Sequence, residues 1–94
     1  MAMTRAAAET FSAQVLAWLA EDHARIVGFL AWSGENPAAL RGRIDDPGFL
    51  LAVIEFLLSD ETLLLDACAA LDWPPETPML ARAAMPGGAD MHWT

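Results

Sequence analysis

The chain has 94 residues, with 13 acidic side chains against five arginines and no lysine, a net charge of −8, and one cysteine. That length makes one small domain around one core, and the charge sets aside nucleic acid and anionic membrane surfaces, which draw on clustered cations. A lone Cys68 excludes an internal disulfide and a cysteine metal cluster. Nineteen alanines, many leucines and no tyrosine favour helix over strand. The expected fold is all-α: a bundle of five to six short helices over residues 1–85, with 86–94 as a flexible C-terminal tail.

Helix signals then follow in chain order. The first helix runs from about Thr4 to Ala20, with Phe11, Val15, Trp18 and Leu19 on one face. That face, together with Glu9 and Gln14 inside the apolar stretch, argues against a secretory signal peptide. Asp22 caps a second helix that ends near Gly34, a natural left-handed terminator. Asn36 and Pro37 open the short helix "PAALRGRI", and Asp46 and Pro47 repeat the device for "GFLLAVIEFLLS". Asp60 starts "ETLLLDACAALD", which Pro74 and Pro75 stop before a last helix near 76–85. "PGGADMHWT" closes the chain without periodicity. The apolar run at 49–58 holds Glu55 and is too short to span a bilayer, so the expected location is the cytoplasm.

At a spacing of 38 residues, "FSAQVLAWLAED" (11–22) lies over "FLLAVIEFLLSD" (49–60). Phe11, Val15, Leu19 and Asp22 meet Phe49, Val53, Leu57 and Asp60 as identities, and Pro37 meets Pro75 further on. This pattern suggests two similar three-helix halves. The copies differ on their second face: Ala13, Gln14, Ala17 and Ala20 answer to Leu51, Ala52, Glu55 and Leu58. The helix at 47–59 is therefore apolar on both sides. Either it is the central helix, or it presents Leu51 and Leu58 around Glu55 as an interface.

Candidates for chemistry are few. His23 and His92 have no ligand partner at helical spacing, and "EDH" at 21–23 points its side chains in different directions around a helix, leaving Asp22 as a cap. Glu55 is the one acid in a strongly apolar segment, where desolvation could fit it for acid–base work, but no second titratable group stands beside it. Neither a phosphate-cradling glycine loop nor a nucleophile elbow occurs. No catalytic, metal or cofactor-binding residue is therefore assigned. Trp18 and Trp32 read as core or core edge, Trp73 as packing over a helix end, and Trp93 as either a docking anchor or a mobile tail residue.

The Asp-Pro-Gly-Phe-Leu opening at 46–50, the Ser-Asp-Glu start of the next helix, "PPETPMLARAAMPGG" and the closing "HWT" resemble a family of small helical bacterial proteins known only as a domain of unknown function. The likeness covers about residues 15–94. It implies a compact all-α cytosolic domain with no assigned activity, and Asp72–Trp73 stands where the family pattern has Gly-Leu. The expected function is protein–protein interaction, as a small adaptor or regulator acting on an unidentified protein or on copies of itself. Leu51, Glu55, Leu58, His92 and Trp93 are its candidate interface. The alternative is a small-molecule binder or enzyme built around Glu55.

Overall fold

Most of the helices begin on a side-chain cap. In the computed structural model, which describes residues 2–87, the chain forms α1 (Arg5–Ala20), α2 (His23–Ser33), a 3-10 turn (Pro37–Ala39), α3 (Leu40–Arg43), α4 (Pro47–Leu58), α5 (Glu61–Leu71) and α6 (Thr77–Ala84). Among the described residues there is no strand. The Thr4 hydroxyl accepts from the Ala7 N–H at 3.1 Å, and the Asp22 carboxylate from Ala24 and Arg25 at 3.0 and 3.2 Å. Asn36, Asp46 and Asp60 do the same for Ala38, Gly48 and Leu63. Each satisfies N–H groups that a helix start leaves without an internal partner. The bond from Gly48, reinforced by Arg43 against partial desolvation, holds the Asp46 carboxyl below its ordinary value of 3.8.

The helix ends are equally local. Gly34 closes α2 at φ 76°, where a residue without Cβ is unstrained. Asp72 closes α5 at φ 60°, the only non-glycine positive φ among the described residues. Aspartate is one of the few side chains that tolerate this left-handed region. The segment "PAALRGRI" differs from the single helix expected of it. It is a 3-10 turn followed by four helical residues, because Gly42 weakens the interior and Pro47 forces Asp46 out to ψ 118°.

α4 is the central element. Phe49, Leu50, Leu51, Val53, Ile54 and Leu57 are all buried, which occupies more than one of its faces. Around them lie Phe11, Val15, Trp18 and Leu19 of α1, Phe29 of α2, and Ala81 of α6. α1 crosses α4 at Ser12, which is fully buried and donates its hydroxyl to the Leu50 carbonyl at 2.7 Å. So small a residue lets the two backbones approach. Phe29 stands edge-on to Phe49 and Phe56 at 5.7 and 5.4 Å, an arrangement that aligns ring edges with ring faces. Trp73 packs edge-on against Phe11 at 5.4 Å and donates its indole N–H to Gln14 Oε1 at 2.8 Å. Trp32 is 48% exposed, its ring 5.4 Å from Phe56.

α2 and α5 are both 11 residues long and start 38 positions apart, after Asp22 and Asp60. Their left-handed ends, Gly34 and Asp72, keep the same offset, as do the bonded residues Ser12 and Leu50.

Candidate functional site

The structure places the sequence-marked residues in different settings. Leu51 is 8% exposed and belongs to the core. The chain beyond α6 returns over it, so that a Cβ at Gly87 would stand 3.7 Å from Leu51 Cδ2. Leu58 is half-buried at the core's margin. The Glu55 carboxylate meets the Arg82 guanidinium at 3.7 Å, with the two side chains 25% and 28% exposed. Leu51 and Glu55 thus serve the contact between α4 and its covering segment, and a partner could reach Leu51 only by displacing that cover. His92 and Trp93 lie outside the described residues.

Open apolar surface lies instead along α1. The exposed methyls of Ala13, Ala17 and Ala20, with Leu16, face Leu40 and Ile44 across a cleft of about 350 Å³. Ile44 is 48% exposed on its rim. A second cleft of about 370 Å³ shares Ala13 and Ile44 and continues past Thr10 to Glu9 and Asp45. The α1 residues lining the two run from Ala6 to Ala20, about 21 Å at 1.5 Å per residue. The groove is open for two reasons written in the chain: alanines cannot fill the space above α1, and α3 stops after four residues.

Its charges are few and polarised. Glu9 and Asp45 flank one end, Glu9 already holding Arg5 at 3.1 Å. Arg41 lines the apolar compartment and has no ion-pair partner among the described residues. Arg43, close by, is committed to Glu35 and Asp46, both at 3.0 Å. Sequence reasoning noted the small surface of Ala13, Ala17 and Ala20 but not Leu40 and Ile44 opposite it. The signal available was Ile44, a large aliphatic placed between Arg43 and the Asp45–Asp46 pair.

A further cleft of about 490 Å³ lies where Met3 meets Trp73, Thr77 and Leu80, with Glu76 as its one charged side chain. The Trp73 N–H there is already bonded to Gln14, so few polar groups remain to orient a ligand. Cys68, near Glu76, is a free, buried thiol. Burial first, and the Glu76 charge second, push its pKa above the ordinary 9.0, which keeps it protonated and unreactive at neutral pH.

These features define a small acidic all-α domain with an open apolar groove. Among its described residues no cluster of three or more histidine, cysteine or acidic side chains could hold a metal ion, and no helix is long and apolar enough to cross a membrane. The chain belongs to the family described as "Protein of unknown function (DUF3572)", whose model matches residues 5–88. That match bears out the resemblance to a domain of unknown function and extends it back to the start of α1, while the closing "HWT" lies beyond the matched residues. No curated protein and no solved structure matches the chain.

Proposed function

We propose that this domain is a protein–protein interaction module, a small adaptor or regulator whose docking surface is the groove between α1 and α3. The observation that carries the reading is the groove itself. Its apolar part, walled by Leu16, Leu40 and Ile44 over Ala13, Ala17 and Ala20, adjoins a more polar stretch past Thr10 to Glu9 and Asp45, on a chain otherwise rich in exposed acids. Exposed apolar surface costs free energy in water, and a partner that covers it recovers that cost. Two similar three-helix halves descended from one duplicated unit, with the second half closed and the first left open, fit this reading. A lone free thiol is the usage of a reducing compartment, which supports a place in the bacterial cytoplasm.

The test is a photo-crosslinking amino acid at Ile44, on the rim, compared with one at Asp66, exposed on α5. Support is a discrete adduct from position 44 alone, reproduced when the captured protein carries the label in its contacting segment. Equal labelling from both positions, or none, would overturn the reading.

A further inference from the structure

Thr77 opens α6 and is only 4% exposed, yet its hydroxyl has no hydrogen-bond partner among the described residues. Buried hydroxyls are nearly always bonded, and one without a partner is costly. This one is not sealed in the core, because Thr77 lines the cleft of about 490 Å³ between the start of α6 and the segment before α1. Two other groups in that cleft respond to charge. Glu76 is exposed there and has no ion-pair partner among the described residues. The Trp73 ring forms part of the wall, held by its edge-on contact with Phe11 at 5.4 Å and its N–H bond to Gln14 at 2.8 Å. With that N–H already used, the ring offers a ligand its π system rather than a donor.

Past Leu80 the character changes. The cleft shares Ala2, Met3 and Leu80 with another of about 330 Å³, which Ala83 and Ala84 complete without any polar side chain. Together the two follow α6 from Thr77 to Ala84, about 10 Å at 1.5 Å per residue. Acceptor groups stand at one end and an apolar trough runs to the other.

We propose that this cleft binds a small amphipathic amine, its ammonium at Glu76, Thr77 and the Trp73 ring, its aliphatic body along Leu80 towards Ala84. An ammonium carries three donors and no acceptor, which suits a carboxylate and a free hydroxyl oxygen. A cation beside an indole gains further attraction. An anionic ligand would instead meet Glu76 as a like charge, and no arginine lines either cleft. The partial positive charge of the α6 N-terminus is outweighed by the full charge of Glu76 beside it. The net charge of −8 also draws cations to the chain as a whole. The cleft shares no lining residue with the groove between α1 and α3, so neither reading depends on the other.

The test is an amide and indole NMR titration of the full chain with n-hexylamine, which is charged at neutral pH. Hexanoate and hexanol are the controls of equal length. The expected result is saturable shifts at the Trp73 indole and the Thr77 amide but not at the Trp32 indole, with a Kd of about 1 mM or tighter. Both controls should bind more weakly by about tenfold or more. Thr77→Val keeps the shape and removes the hydroxyl, and Glu76→Gln removes the charge at an exposed site. Each should weaken hexylamine by about threefold or more, whereas Asp66→Asn, at an exposed site on α5, should not.

Equal binding of the three probes would overturn the inference, since apolar contact alone would then be at work. So would hexylamine binding indifferent to either cleft variant, or shifts spread over Trp32 and the acidic surface, the mark of a diffuse counter-ion. No saturable shift up to about 10 mM would overturn it too, and would leave water as the partner of Thr77.

Discussion

Replacing Leu51 by alanine removes aliphatic volume from the one place where α4, α6 and the returning chain converge. Leu51 is 8% exposed, and its neighbour at Gly87 leaves ordinary contact distance rather than a tight fit. The surroundings can therefore relax partly into the gap. Leu→Ala substitutions in cores cost about 2–5 kcal/mol, more where the site cannot collapse, so Leu51→Ala belongs at about 2–3 kcal/mol. Leu58 is only half-buried, and the same substitution there should cost about 1 kcal/mol. Leu51→Glu adds the burial of an unpaired carboxylate next to an existing acid, Glu55, for a total of about 4 kcal/mol or more. A chain of this length has about 5–14 kcal/mol of stability in all, so that variant would lose from about a third to most of it. Urea denaturation followed by circular dichroism and by the buried Trp18 measures this directly. With a slope of about 1 kcal/mol per molar urea, Leu51→Ala should lower the midpoint by about 2–3 M. An unchanged midpoint for Leu51→Glu would refute the placement of Leu51 in the core and return it to the surface as an interface residue.

Three further outcomes are expected. Ser12→Ala should cost about 1 kcal/mol, because the Leu50 carbonyl loses the hydroxyl but keeps its bond within α4. Ser12→Leu should cost about 1–3 kcal/mol by forcing the crossing apart, and a urea midpoint unchanged by either would refute the close approach. Asp72→Gly should stabilise the domain by about 1 kcal/mol, or about 5 °C in Tm, by relieving a left-handed aspartate at φ 60° and removing an acid from a helix C-terminus; a lower Tm would refute that account. Cys68 should be alkylated far more slowly in the folded chain than in urea at pH 8. Since its folded pKa lies above 9.0, it contributes stability below pH 9 that is lost as pH rises through the folded value, because the unfolded thiol ionises first. Equal alkylation rates would show the thiol to be open.

The match of the chain to its family over residues 5–88 covers every helix but says nothing of which surfaces are used, and here sequence and tertiary structure divide the information unequally. Asp22, Asp60, Asn36 and Asp46 announce helix starts, and Gly34 and the double proline announce ends, because caps and turns are made within a few residues of backbone. The apolar periodicity of α1 and the two-sided character of α4 likewise follow from 3.6 residues per turn alone. The sequence therefore determined an all-α chain with a helix at 47–59 that is apolar on both sides. What it left open was which side of each helix would be covered, and by what. Leu51 and Ala13 occupy matching positions, yet one is buried in the core and the other lines an open cleft. That difference is not local. It depends on α6 being long enough to reach across α4 and on α3 ending after Arg43, segments up to about thirty residues away in the chain from the faces they cover or fail to cover. Burial is a property of summed volumes brought together from distant segments, and only the tertiary structure performs that sum.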